Sequence, residues 1–384
     1  MTYVAVKGGT EAIEESIRRI KYERIKHGKT IGVDEIQCGM RSLVDQVMSE
    51  SSLYSEVLAA LSIKQAEGNP EEAVFLMRAY RSTLPRNHYS RTVDTENMNI
   101  MRRISASFKD IPGGQILGPT VDYTHRLLDF DLMDESMDEV NTWKMDYESE
   151  MMQYLKNGNN SLVDHQGLGD RGIARLPKVI DYLRKEELMI DFADDDHEPD
   201  DVTRRSLEFP SSRSQRLQIL TRGQTGTVTA LGYAIIRGYG ALHPTVGELR
   251  IGEVPIHVGH PLEETIDEED TYYIGDICIT EAEMLIPQTI ELPDGNKEIQ
   301  FSIGYGACYG QNETKTIAMG ILDHALEYSN PHYPTHDEEF VLYHIDSVEA
   351  TGFISHLKMP HYVTFQSELE RMRKTKTKEK GNDA

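Results

Sequence analysis

The apolar and polar positions of this chain change rhythm twice. Over the first 85 residues they recur at helical spacing. In "GNPEEAVFLMRAYRSTL", Asn69 is set to cap a helix, Pro70 to open it and Glu71 and Glu72 to fill its first turn, while Ala73, Met77, Tyr80 and Leu84 share one face. "EAIEESIRRIKYERIKHG" puts Ile13, Ile17 and Ile20 on a stripe and stops at Gly28, a residue suited to the left-handed turn after a helix. Asp34 to Met48 and Leu53 to Gln65 read the same way. The periodicity breaks in "KDIPGGQILGPTVDYTHRLLDF" (109–130), where Pro112, Gly113, Gly114, Gly118 and Pro119 leave short extended pieces between turns. Residues 131–208 are charged and poorly patterned, with one predicted helix in "LPKVIDYLRKEELMI". From Phe209 onward, short apolar runs alternate with turns. "TVTALGYAIIRGYG", "YYIGDICITEAEMLI" and "QFSIGYGACYG" read as strands of a mixed sheet, and "TKTIAMGILDHALEY" as a helix with Ile317, Ile321, Leu322 and Ala325 aligned.

These elements predict an α+β fold: a mainly helical N-terminal region followed by a mixed β-sheet region with packed helices. The expected divisions are a helical region at 1–108, a glycine-rich motif segment at 109–130, a charged peripheral insertion at 131–208, a mixed α/β C-terminal region at 209–370 and a basic flexible tail at 371–384. With 384 residues and 39% hydrophobic content, the chain can bury a sizeable core. No apolar run approaches the roughly 18 residues of a membrane helix, and "MTYVAVKGG" is too poor in apolar residues for a secretory signal, so a cytoplasmic protein is expected. A net charge of −24 argues against broad binding to nucleic acid or to an anionic membrane. Cys38, Cys278 and Cys308 form no C-x-x-C pair, which fits reduced thiols and leaves no iron–sulfur cluster held by this chain alone.

Three stretches carry candidate chemistry. "GLGDRG" has the spacing of a dinucleotide fingerprint at Gly167, Gly169 and Gly172, but the polar "NGNNSLVDHQ" stands where a buried strand is required. "GYGACYG" precedes a helix and could expose amides to a phosphate, without the lysine and serine of a P-loop. In "ISHLKMPHYV", His356 and His361 lie five residues apart, about 140° around a continuous helix, so they could not share a ligand on one. Pro360 breaks such a helix and lets the two rings fold toward one point. A zinc ion takes about four ligands, so this pair needs others from elsewhere in the chain or from another chain.

"YVAVKGG", "KDIPGGQILGPTVDYTHRLLDF", "SSRSQRLQILTRGQTG" (211–226), "RGYGALHP" (237–244) and "DEEFVLYHIDSVEATGFISHLKMPHY" (337–362) together resemble the PhnI subunits of bacterial carbon–phosphorus lyase. The likeness covers most of the chain in order and departs from it in 131–208, in about 245–300 and in the basic tail. It implies a core complex with PhnG, PhnH and PhnJ, two copies of each subunit, that begins the breakdown of alkylphosphonates. It further implies that a phosphonate oxygen displaces adenine from C1′ of ATP to give an α-D-ribose 1-alkylphosphonate 5-triphosphate, the PhnI chain supplying the nucleosidase part on ATP or GTP. Cleavage of the carbon–phosphorus bond would belong to PhnJ with its iron–sulfur cluster. The resemblance also associates His356 and His361 with a zinc ion near the contact with PhnJ.

Such a displacement passes through an oxocarbenium-like state, so the site needs an acid at the base and cations at the triphosphate. Asp110, Asp122 and His125 are the candidate acids. Lys109, Arg126, Arg213, Arg216, Arg222 and Arg237 are the candidate phosphate ligands, and magnesium is expected to travel with the nucleotide. A non-catalytic scaffold shaping a zinc-containing interface is the alternative. An independent zinc hydrolase ranks last, because no H-E-x-x-H motif occurs.

Overall fold

The computed structural model of the chain describes residues 9–156, 176–190, 198–239, 243–259, 271–291, 295–328, 330 and 332–379. Four N-terminal helices after the first, α2 (Val33–Gly39), α3 (Arg41–Ser51), α4 (Glu56–Gln65) and α5 (Pro70–Thr83), enclose a core of Val44, Val47, Ala59, Ile63, Val74 and Met77. The cap expected at α5 is present: the Asn69 side chain accepts from the Glu72 amide at 2.8 Å, and Pro70 is in the first turn. The single helix expected over Asp34 to Met48 is instead two, because Gly39 ends α2 and Met40 leaves helical geometry at φ −116°, ψ 40°. Helix α1 (Gly9–Ile25) forms as predicted, but its Ile13, Ile17 and Ile20 are left exposed and it buries no residue.

Among the described residues the sheet has four strands in the order β1 (Asn99–Ile104), β2 (Thr245–Gly259), β3 (Thr271–Glu291) and β4 (Lys297–Tyr309). The α+β expectation stands, with every ladder antiparallel rather than mixed. β1 lies inside the region read as helical, since two arginines in "NIMRRI" disguise a strand. Arg250 stands opposite Glu281, Leu249 opposite Ala282 and Glu248 opposite Glu283, which fixes two chemically different faces. One face carries Leu249, Ile251, Ala282 and Met284 and is covered by α10 (Glu313–Glu327). The other carries buried charge.

Three further helices correct the sequence reading. "TVTALGYAII" is not a strand but helix α9 (Thr225–Ala234), continued by a π-helical turn (Ile235–Tyr239). Its Val228, Leu231 and Ile235 fall at helical spacing and join one core with Met319 and Leu322 of α10. The charged insertion contains a 20-residue helix, α6 (Met137–Lys156), opened by a capping exchange in which Ser136 accepts from the Glu139 amide at 3.3 Å and Glu139 accepts from the Ser136 amide at 3.1 Å. The helix predicted in 176–190 shrinks to α7 (Ile180–Lys185), because Glu187 turns left-handed at φ 57° and Leu188 and Ile190 exchange backbone hydrogen bonds with Phe301 of β4. α8 (Arg213–Arg222) follows, with a complete capping box at Ser212 and Gln215, and the chain closes with α11 (Glu338–His344), α12 (Ser347–His356) and α13 (Tyr362–Glu379). "GLGDRG" lies outside the described residues. Among the described residues no helix is long and apolar enough to cross a membrane.

Helix α10 approaches β4 so closely that only glycine fits between them. A Cβ added to Gly304 would lie 1.8 Å from the Gly320 carbonyl oxygen, and one on Gly306 2.3 Å from that of Thr316. Gly304→Ala must therefore push the helix off the sheet, and it is expected to lower unfolding stability by about 3 kcal/mol or more, read as a drop in denaturant midpoint. A second test concerns pH. Burial on α10 pulls His324 down to about 4, below the ordinary 6.5. Its stabilising contribution is complete above pH 6.5 and is lost as pH falls toward 4, where the unfolded chain takes up the proton first; the loss amounts to up to about 3 kcal/mol. Unfolding midpoints across that window should fall less steeply in His324→Leu than in the parent chain.

Candidate functional site

The glycine-rich segment wraps two arginines of β1 that are fully buried. Arg102 donates to the Leu117 carbonyl and to Asp122 (2.7 Å) and Glu313 (3.1 Å). Arg103 donates to the carbonyls of Pro112 (2.5 Å) and Pro177 (2.8 Å) and pairs with Glu248. The turns of the segment serve this wrapping: Gly118 has φ +61°, and a Cβ there would lie 2.6 Å from the Met101 carbonyl. Asp122 is thereby committed to Arg102, and Arg126, itself at φ 55°, rests on the Val121 carbonyl at 3.0 Å and lies 3.6 Å from Asp122. Lys109, Asp110 and His125 are exposed on the outside of the same segment.

The remaining predicted phosphate ligands scatter. Arg216 is buried, donating to the Ser211 carbonyl at 3.0 Å and pairing with Glu327. Arg222 donates to the Val202 carbonyl at 3.0 Å and lines a cavity of about 480 Å³; burial, with Arg78 and Arg81 close by, pulls it down to about 10. Arg237 is exposed on the π-helical turn. Arg213 grips buried Asp323 with two bonds, 3.2 and 2.7 Å, and borders a larger cavity of about 780 Å³.

That cavity opens on the charged face of the sheet, over residues that sequence reasoning missed. Lys178 reaches Glu283 at 2.8 Å and Glu281 at 3.3 Å, Arg250 donates to Glu281 at 3.1 Å through Nε, and the Tyr305 hydroxyl donates to Glu281 at 3.0 Å. Burial pushes Glu281 up, but Arg250 and Lys178 outweigh it and hold the carboxyl below its ordinary range. Burial also pushes Glu283 up; Lys178 opposes that, Glu281 reinforces it, and the net direction is upward. For Tyr305, burial and the carboxylate beside it raise the phenol well above its usual value. The signal was present in "ITEAEMLI": two glutamates at i and i+2 share one face of an otherwise apolar strand, where an uncompensated carboxylate would be too costly to bury.

The two histidines of "ISHLKMPHYV" lie side by side. α12 ends at His356, the chain turns through Pro360, and α13 begins at Tyr362, leaving the ring centroids 4.7 Å apart with planes at 84°. His361 Nδ1 lies 2.5 Å from the Met359 carbonyl oxygen. A carbonyl only accepts, so Nδ1 carries the proton and the Nε2 lone pair is left for a ligand, the tautomer that metal-binding histidines adopt. Among the described residues no group of three or more His, Cys, Asp and Glu is placed to hold a metal ion. The pair therefore suits half of a zinc coordination shell and no more.

Comparison with known proteins gives a consistent result. The family described as Bacterial phosphonate metabolism protein (PhnI) matches residues 2–379. The Escherichia coli (strain K12) protein named alpha-D-ribose 1-methylphosphonate 5-triphosphate synthase subunit PhnI is 40% identical over 384 residues, 97% of this chain and 98% of its own length. Its namesake from Rhizobium meliloti (strain 1021) is 40% identical over 379 residues, 97% of this chain and 94% of its own. HtxH of Stutzerimonas stutzeri, provisionally named a C-P lyase subunit protein, is 42% identical over 385 residues, 98% of this chain and 97% of its own.

The buried cluster itself is open to test. Glu281→Gln removes the charge that Arg250 and Lys178 share and leaves two cations under-compensated, so a loss of about 3 to 5 kcal/mol in unfolding stability is expected by chemical denaturation. A variant as stable as the parent would show that solvent reaches these groups.

Proposed function

The chain belongs to the PhnI family of bacterial phosphonate metabolism proteins, and from that premise we propose that it is a subunit of a cytoplasmic carbon–phosphorus lyase core complex with PhnG, PhnH and PhnJ counterparts. Within it the chain displaces adenine from C1′ of ATP, which arrives with magnesium, using an alkylphosphonate oxygen, and yields an α-D-ribose 1-alkylphosphonate 5-triphosphate; it also has nucleosidase activity on ATP and GTP. The observation that carries this reading is the match to the family over nearly the whole chain, with two relatives named for that synthase at 40% identity. Surface chemistry supports the assembly. Leu127 and Leu128 are 82% and 83% exposed, and Phe130, Met133, Trp143, Phe353 and Leu357 are uncovered as well, more apolar surface than a solitary chain ordinarily displays. Zinc, held by His356 and His361 with donors from outside this chain, would serve as a Lewis acid or as an interface clamp.

A scaffold subunit would display the same surfaces, so the deciding measurement is chemical. The complex assembled from all four co-expressed subunits is expected to release adenine from ATP when methylphosphonate is added, and the three others without this chain are expected to release none. Release at an undiminished rate without it would leave the chain a scaffold. In the assembled complex His356→Ala and His361→Ala should each lose most of the bound zinc, since two protein ligands leave no reserve. Full zinc occupancy in both variants would return the motif to ordinary hydrogen-bonded histidines.

A further inference from the structure

The cavity on the charged face, about 780 Å³, falls within the size range of pockets that enclose small ligands. Three kinds of wall meet there. Ile180 of α7, Leu217 of α8 and Ile303 of β4 offer an apolar surface to a planar ring. Lys178, Arg184 and Arg213, which pair with Glu281 and Glu283, with Asp181 and with Asp323, line it with positive charge that a phosphate chain would meet. Asp94 and Glu96, from the turn before β1, bring carboxylates, the acceptors that a ribose diol asks for. A purine, a ribose and a phosphate chain are the parts of one molecule.

Glu283 stands out on this wall. Its Oε1 accepts from Lys178 at 2.8 Å, while its buried Oε2 has no hydrogen-bond partner among the described groups. A buried carboxyl oxygen without a partner is costly unless it carries a proton to offer or meets a ligand. Burial, which raises this carboxyl despite Lys178, favours the protonated form.

We propose that this cavity binds a purine nucleoside triphosphate and that Glu283 is the acid that protonates the departing base, an inference that rests on the reaction proposed above and gives it a location. The C1′–N bond breaks with its electron pair going to the base, a phosphonate oxygen closes the new C1′–O bond, and the Glu283 proton passes to a base nitrogen. The proton lost from the phosphonate hydroxyl restores the carboxyl. Lys178 holds Oε1 throughout and stabilises the carboxylate formed in between.

Glu283→Gln keeps the shape of the neutral acid but cannot give up its proton, and Leu217→Trp fills the apolar wall without touching a charge. In the assembled complex, Glu283→Gln is expected to lower kcat for adenine release from ATP by roughly 10² to 10⁴ with KM nearly unchanged. With 7-methylguanosine triphosphate, whose alkylated base leaves without protonation, the same variant should run close to the parent rate. Leu217→Trp should weaken equilibrium binding of ATP by more than about tenfold. Unchanged adenine release in Glu283→Gln, or an equal loss with both nucleotides, overturns the acid role. Unchanged ATP affinity in Leu217→Trp overturns the location. A parent complex whose ATP binding depends on Leu217 but which never frees a base overturns the reaction itself, and with it the acid, while the binding cavity stands.

Discussion

Burial of four cations against the sheet, Arg103, Arg250 and Lys178 on one face and Arg102, in register with Ile251, on the other, is the constraint that organises this molecule. Taking an ion out of water costs several kcal/mol even after relaxation, so each cation must find acceptors inside the fold. Those acceptors come from distant parts of the chain. Arg102 and Arg103 gather carbonyls and carboxylates from 112 to 122, from Pro177, from Glu248 and from Glu313. Arg250 and Lys178 share Glu281. The glycine-rich turns, the approach to α7 and the start of α10 are thus pinned to the sheet by polar contacts, which demand direction, where apolar contacts would leave register free.

The opposite face is built on the reverse principle. Gly304, Gly306 and Gly320 remove side chains so that α10 can lie against β4, and Leu249, Ala282 and Met284 fill what remains. Asp323 joins the two worlds: from α10 it accepts the Tyr305 amide of β4 at 2.9 Å and both arms of Arg213 from α8. Moving α10 would therefore disturb the cavity on the far side of the sheet as well as its own core. The charged face can hold a cavity because the glycine face holds the sheet still.

How much of this was legible in the sequence depended on whether local chemistry agreed with the tertiary outcome. α5 was legible because Asn69, Pro70 and its apolar stripe all favour the same helix, and α10 because Ile321, Leu322 and Ala325 are its buried face. α9 was not, since "TVTALGYAII" is rich in strand formers and its helical spacing gains meaning only against Met319 and Leu322. β1 hid behind Arg102 and Arg103, because charge in a short run usually means surface. The histidine pair was legible through Pro360. The pairing of Lys178 with Glu281 and Glu283 was not, although two glutamates on one face of an apolar strand hint at a buried cation, for Lys178 lies more than a hundred residues away in sequence. Arg216 shows the converse: a residue type that suits phosphate is satisfied here by Glu327 and a carbonyl.

The two places where the chain offers chemistry differ in completeness, and the difference bears on how it works. The cavity supplies its own cations, carboxylates and apolar wall from β3, β4, α7, α8 and the turn before β1, all within one chain. The histidine turn supplies two nitrogens on an exposed hairpin of helices whose Phe353, Ile354, Leu357, Val363 and Phe365 are also uncovered. If the pair is a zinc half-site, whatever covers those exposed aliphatic and aromatic groups would complete it, because the apolar surface would drive the contact and the contact would bring the missing donors. On the zinc reading proposed above, metal binding at the turn and burial of the surrounding surface would be one event, each strengthening the other by the free energy of the shared step.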